Sequence, residues 1–400
     1  MIIKNYTLGL SLFILLLNAS LRSQTHEDLI NDLYSKNALD VMSAIYTIVE
    51  EDIYEALPAI NEVFDSQPPF LQISFLNAML DLNDPQVEAK AFEVISRADS
   101  FANYDPLLSY DPLKAKVEAT FVLIHKQNYS TVNYIFDIIE RDGISKIDPT
   151  AFVSLDIILN NVPAFEIKTK DILIQIWDNG KDDSHRYFSM WSLCEKYGVE
   201  MQSRIIYSFQ NDIDLPTRFL ALEYLFKQKY AGLNSLLKTQ LIQDRTGVFR
   251  TAIADSLLQK FGEPSDLKAV IDYQPNEPDE TARSLMGYAI DDFIPPKPDS
   301  LNWSGLVTKL LSYTDELFQY GWIKNEETRN YYIHKLNAVN KAIENDSPTA
   351  EACIIINEQM LPQVEQDLKT ELITTEGYKY LHYYTINIKD EIEKEFGACQ

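Results

Sequence analysis

Residues 187–198 read YFSMWSLCEKYG, residues 219–230 read FLALEYLFKQKY, and residues 253–262 read IADSLLQKFG. Laid over one another, Tyr187, Met190, Cys194 and Tyr197 meet Phe219, Leu222, Phe226 and Tyr230, and then Ile253, Leu257 and Phe261. The first set is spaced three, four, three, which places its side chains on one stripe of a helix. The tails agree as well: Lys196-Tyr197-Gly198, Lys229-Tyr230 and Lys260-Phe261-Gly262. A period of about thirty residues leaves room for two helices and their turns. A hairpin of that size buries its apolar face only by stacking on its neighbours, so the pattern predicts an all-α chain containing an α-solenoid.

Outward from this stretch, residues 25–272 read as successive amphipathic helices. Breaks fall at Asn83-Asp84-Pro85, Asp178-Asn179-Gly180 and Gly262-Glu263-Pro264, and further hairpins are expected at 52–82 and 148–179. Glycine occurs only 12 times, which disfavours both a turn-rich β-fold and a glycine-rich phosphate loop. In its period the array, placed at 24–272, resembles HEAT-type repeats. The proline and the Asp/Arg positions of such repeats are not consistently placed, which leaves another α-hairpin repeat as the alternative.

Residues 273–300 change character, with Pro275, Pro278, Pro295, Pro296 and Pro298 among acidic residues. Proline lacks an amide donor and clashes with the preceding turn, so Ile294 to Pro298 cannot lie inside a helix, and the segment reads as a stiff linker between domains. Beyond it, residues 301–400 carry four apolar stripes. These are Trp303, Leu306, Leu310, Tyr313, Leu317 and Tyr320; Tyr332, Leu336, Val339 and Ile343; Ala352, Ile356, Met360, Val364 and Leu368, with Pro362 expected to kink the helix; and Leu381, Tyr384 and Ile388. Four such stripes predict a helical bundle.

Within that bundle Leu317, Tyr320-Gly321-Trp322-Ile323, Leu336-Asn337-Ala338, Ala350, Ala352 and Leu372-Ile373-Thr374-Thr375-Glu376-Gly377-Tyr378 leading to Leu381 resemble the FIMAH type of small helical module. The likeness covers about a quarter of the chain. It implies a secreted bacterial setting and a non-catalytic accessory module, and it transfers no catalytic residue. This copy departs from the pattern at Trp322 and Tyr378.

At the N-terminus, Lys4 precedes an apolar run from Leu8 to Leu17 and a small-residue exit at Ala19, Ser20 and Ser23. That is the layout of a secretory signal peptide over residues 1–23, with cleavage expected after Ser23, or after Ala19 or Ser20. The run is too short for a comfortable membrane span, and no cysteine follows it to carry a lipid anchor. The chain of 400 residues is 46% hydrophobic and carries a formal charge of −25. Such a field repels phosphate backbones, which argues against nucleic acid as a partner, and it also keeps an exported protein soluble. Three cysteines permit at most one internal disulfide. Cys194 and Cys353 read as buried thiols, and Cys399 as part of a frayed tail, with a tether or cross-link as the alternative.

No P-loop, GxGxxG, GxSxG or HExxH spacing occurs, and the five histidines lie far apart, so neither a cofactor nor a metal is expected. A hydrolase with a site assembled from distant carboxylates and histidines is the contrasting reading. The acidic turns 178–183 and 211–214 offer oxygen ligands of the kind calcium takes, but helix capping by Asp183 and Asp214 explains them more simply. The binding candidates are Tyr380 and Tyr383, on a helix face beside the Leu381–Tyr384–Ile388 stripe. There they either stack on a sugar or anchor a protein partner, or pack against a neighbouring helix. The sequence therefore predicts an exported binding or scaffold protein. A protein partner is held on the solenoid, with a carbohydrate as the second option.

Overall fold

In a computed structural model of the chain, residues 25–101, 110–298, 300–344, 350–397 and 399 are described. The expected signal peptide lies outside them. The protein is all-α, with no β-strand among the described residues. Among the described residues no single helix is long and apolar enough to cross a membrane. The chain divides into two compact units, one ending at Met201 and the other beginning at Gln202.

The first unit holds α1 (His26–Asp32), α2 (Ala38–Glu50), α3 (Leu57–Val63), α4 (Pro69–Asp81), α5 (Val87–Arg97), α6 (Pro112–His125), α7 (Asn133–Asp142), α8 (Pro149–Asn161), α9 (Glu166–Asn179) and α10 (Asp183–Tyr197). Both stretches where hairpins were expected contain helix pairs. Helix starts follow local chemistry. Asp111 and Asp148 accept backbone N–H bonds ahead of α6 and α8, and Pro112 and Pro149 take the first helical position, where no amide donor is missed. Helix α6 packs against α4, α5, α7 and α8. It accordingly buries residues all round, among them Val117, Thr120, Val122, Leu123 and Ile124.

The second unit holds α11 (Gln202–Asn211), α12 (Leu215–Lys227), α13 (Leu233–Gln243), α14 (Gly247–Ser256), α15 (Pro264–Tyr273) and α16 (Glu280–Asp291). These are followed by α17 (Trp303–Gln319), α18 (Glu326–Glu344), α19 (Ala350–Ile354), α20 (Leu361–Lys369) and α21 (Thr375–Phe396). The repeat stripe is turned from its expected position. Met190, Cys194, Leu222, Ile253 and Leu257 are buried, but Tyr187, Tyr197, Phe226, Tyr230 and Phe261 are half-buried and Phe219 is 37% exposed. On α12 the buried face centres on Arg218, Ala221 and Leu225. Phe219 and Phe226 flank that face; Phe219 meets Phe249 edge to face and Phe226 lies tilted against Phe261, with ring centroids 5.1 and 6.0 Å apart.

Residues 273–300 are not the expected linker. Asp279 caps α16, which packs on α14 and α15, and the longest run without regular structure among the described residues of the segment is 293–298. Even these are seated: Phe293 and Pro295 are buried. Pro296 lies so close to Gly262 (φ +62°) that a Cβ on that residue would come within 2.1 Å of the proline Cδ. Proline excludes helix there, as anticipated, but an extended strap with three prolines has few amides to satisfy and packs readily against a neighbouring surface.

The four bundle stripes are where the sequence put them. Between α19 and α20 the helix widens into a π-helical stretch, Ile355–Met360, immediately before Pro362, whose missing N–H leaves the helical ladder open. The α17–α18 and α20–α21 turns have matching geometry. The Trp322 amide donates to the Leu317 carbonyl and the Leu372 amide to Asp367, both at 2.8 Å; Lys324 then donates to Leu372 and Thr374 to Trp322, both at 2.9 Å. Ile323 and Ile373 thus face each other across an antiparallel bridge. The cysteine expectation is corrected. Cys353 and Cys399 form a disulfide that pins the chain after α21 back onto α19. The reading of Cys399 as frayed fails because the tail returns at Gly397, whose left-handed φ of +66° turns it beyond the helix end. Cys194 remains a buried thiol.

Candidate functional site

Two side-chain systems organise the second unit, and the first was hidden in the sequence. An arginine recurs at 186, 218, 250 and 283, at intervals of 32, 32 and 33 residues. Six residues before each stand Gly180, Asp212, Asp244 and Glu277, and four before each stand Asp182, Asp214, Thr246 and Asp279. The residues four before are start signals. Asp182 accepts the His185 amide, Asp214 the Thr217 amide and Asp279 the Ala282 amide. An arginine four residues after the cap stands one turn into the helix, facing inward. The capping aspartate of α10 is Asp182, one residue before the expected Asp183, which instead pairs with Arg186 at 2.7 Å; Asp214 caps as expected.

The arginines then tie loop to loop. Arg186 Nη1 donates to the Gly180 carbonyl at 2.9 Å. In the second unit Arg218, 1% exposed, donates from Nε to the Phe209 carbonyl at 3.1 Å, and from Nη1 and Nη2 to the carboxylate of Asp244 in the next loop. Its guanidinium also lies 4.0 Å from the Phe249 ring centroid. Arg250 donates from Nη1 to the Asp244 carbonyl at 2.6 Å, and from Nε and Nη2 to Glu277. Arg283 Nε donates to the Glu277 carbonyl at 2.9 Å. Burial alone would push the Glu277 carboxyl up, but Arg250 and the Asp279 amide outweigh it and hold it below its ordinary value.

The second system contains Tyr380, and here the sequence expectation is corrected. Tyr380 is 0% exposed and cannot stack on a ligand in solution. Its helix α21 is packed by α17 and α20 and also meets the Gly262 corner and the Phe293 strap, so it buries a far wider sector than one stripe. Tyr380 OH donates to the Gly262 carbonyl at 3.0 Å, and the ring touches Tyr313, Trp322 and Phe293. Tyr313 OH donates to Glu263 at 2.5 Å, and Lys309 reaches the other carboxylate oxygen at 2.7 Å. Burial first, then the Glu263 hydrogen bond, holds the Tyr313 phenol protonated far above its ordinary range. Lys379, also buried, donates to the carbonyls of Ile290 and Asp291 at the end of α16. Tyr383 is half-buried, against the edge of His382. The structure therefore does not bring Tyr380 and Tyr383 together on one open face.

The histidines stay apart. His26 lies 3.9 Å from Glu51, His125 bonds the Phe121 carbonyl, His185 packs on Phe152, His334 is exposed and His382 stacks on Tyr378. Among the described residues no three His, Cys, Asp or Glu side chains converge to hold a metal. In the first unit two shallow depressions, of about 290 and 380 Å³, meet at Ile144. Lys146, Lys181, Asp182 and His185 line the smaller, and burial lowers the His185 pKa. No protein-family model and no curated protein matches this chain.

Proposed function

We propose that the protein is an exported binding or scaffold protein, whose HEAT-like solenoid holds a protein partner and whose FIMAH-like C-terminal bundle braces the end of the array. The observation that carries the reading is the loop ladder. Asp212–Arg218, Asp244–Arg250 and Glu277–Arg283 recur at a constant separation, and two links, Arg218 to Asp244 and Arg250 to Glu277, each lock one loop to the next. Its six-residue acid-to-arginine spacing supplies the Asp/Arg regularity that an aromatic register hides. Such stacking builds a long, fixed surface suited to a macromolecule. The Cys353–Cys399 disulfide supports export, because disulfides persist in oxidising compartments.

Two measurements test the reading. Mass analysis of native secreted material is expected to show a new N-terminus between Ser20 and Gln24. Cross-linking in the extracellular fraction is expected to join residues of the helix pairs between 202 and 291 to one recurrent protein. An intact Met1 on the native protein would overturn export, and a monomer that cross-links to nothing would overturn the scaffold reading.

A further inference from the structure

The ladder stops at Arg283 with two of its three donor nitrogens, Nη1 and Nη2, unused. In Arg218 the work is divided: Nε satisfies a carbonyl of its own hairpin, and Nη1 and Nη2 present a flat edge to the Asp244 carboxylate one period on. Arg250 makes the same division with different atoms, Nη1 inward and Nε with Nη2 to Glu277. Arg283 makes only the inward half, Nε to the Glu277 carbonyl. No carboxylate among the described residues lies within ion-pair range of its Nη1 and Nη2. One period beyond Glu277 the chain has Lys309 and Leu310, within α17, so the bundle takes the place of the next hairpin without supplying the acid.

We propose that Arg283 is a carboxylate-binding residue, its Nη1–Nη2 edge receiving an external carboxylate as the Nη1–Nη2 edge of Arg218 receives Asp244. A guanidinium edge matches a carboxylate in two parallel bonds, and a fork already fixed through Nε loses little freedom on binding. Arg283 is half-buried, so its field is less screened than that of a surface arginine. The nearby acids do not fill the fork. Glu277 is held by Arg250, Asp279 is committed to the Ala282 amide, and Glu280 lies on the first turn of α16 with no bond to Arg283. The chain's net negative charge opposes anions at long range, but beyond about 8 Å that repulsion is screened at physiological ionic strength. The carboxylate comes either from an Asp, Glu or C-terminus of a protein partner or from a small organic acid. The first source rests on the proposed binding function; the site chemistry does not.

The test uses the full mature chain with ¹⁵N-labelled arginine. The Arg283 side-chain resonance, assigned by its loss in Arg283→Lys, is followed while succinate, and separately a short glutamate-containing peptide, is added. A saturable shift of that resonance, with Arg218 and Arg250 unmoved, is expected, as is a probe-dependent rise in thermal midpoint that Arg283→Gln abolishes. Response to succinate alone assigns a small acid, and preference for the peptide assigns a protein partner. If Arg283→Gln folds poorly, Arg283→Lys replaces it, keeping the charge without the fork, and weaker binding is expected. Absence of a saturable shift with both probes, or an equal response in the variant, overturns the proposal. A partner cross-linked elsewhere on the helix pairs, with Arg283 silent, would refute this site and leave the scaffold reading intact.

Discussion

Arg250 and Glu277 form a buried two-point pair, with Nε 2.6 Å from Oε2, while the same guanidinium holds the Asp244 carbonyl, so one side chain fastens two loops. Removing one partner of such a pair strands the other's charge in a low-dielectric site. Arg250→Met is therefore expected to cost about 3–5 kcal/mol in chemical denaturation. The double variant Arg250→Met/Glu277→Leu is expected to recover most of that loss, because the stranded carboxylate is gone. A double variant as unstable as the single one would mean that the pair matters through the Asp244 carbonyl alone.

Tyr380 is a core residue, and its variants separate packing from hydrogen bonding. Tyr380→Phe leaves the buried Gly262 carbonyl without its donor, an expected loss of about 1–3 kcal/mol. Tyr380→Ala also opens a cavity among Tyr313, Phe293 and Trp322, and is expected to cost about 3–5 kcal/mol. Equal thermal midpoints for wild type and Tyr380→Ala would contradict this burial.

How much of this was legible follows from which signals are local. Helix identity, the four bundle stripes and the proline break at 294–298 depend on periodicity and on missing amides, and both are written in the chain. The ladder was legible too, in the constant six-residue step from acid to arginine, but an alignment registered on Phe219 and Phe226 conceals it. Those two rings are large and apolar, yet they lie at the edge of the α12 face; Leu225 and Arg218 take its centre. Phe226→Ala is thus expected to cost less than a fully buried phenylalanine. The burial of Tyr380, the seating of the strap and the Cys353–Cys399 pairing arise from contacts across 118, 34 and 46 residues, which no local pattern encodes.

His382 makes part of the stability pH-dependent. Its Nδ1 is buried without a hydrogen-bond partner, 3.6 Å from Glu365, whose carboxylate already accepts from Tyr378 OH. Burial pulls the His382 pKa below its ordinary 6.5, and Glu365 only partly restores it. The fold therefore favours the neutral ring. Its contribution is complete above the unfolded value and is lost as pH falls below about 6.5 toward the folded pKa. His382→Phe, which packs without titrating, is expected to flatten the stability profile in that window; an unchanged slope would remove His382 as its source.

Opening the Cys353–Cys399 bond releases a loop of 46 residues, for which chain entropy gives about 4 kcal/mol at 25 °C. A reductant, or Cys399→Ser, is expected to lower the thermal midpoint by a corresponding amount and to free the chain beyond Gly397 to proteases. Peptide mapping of the unreduced native protein is expected to recover the cross-linked pair. Recovery of both cysteines as free thiols would remove the disulfide and the support it lends to export.

The dividing line of the chain is the last expectation, and it sets two readings of the proline strap against each other. If residues 294–299 were a linker, a fragment beginning at Leu301 would fold alone. That fragment, however, loses Glu263 from Lys309 and Tyr313, the Gly262 carbonyl from Tyr380 and the α16 carbonyls from Lys379. It keeps the donors, among them the buried Tyr313, Tyr380 and Lys379, and strips away their acceptors, a costly way to cut a polar network. It also bares the face of α21 that now covers Phe293 and Pro296. The fragment from Leu301 is expected to aggregate, or to show helical circular dichroism without a sharp melt. A fragment from Gln202 to Gln400, which retains every one of these contacts, is expected to be soluble and to unfold in one cooperative transition. A cooperative melt of the shorter fragment at the midpoint of the longer one would restore the strap as a true domain boundary.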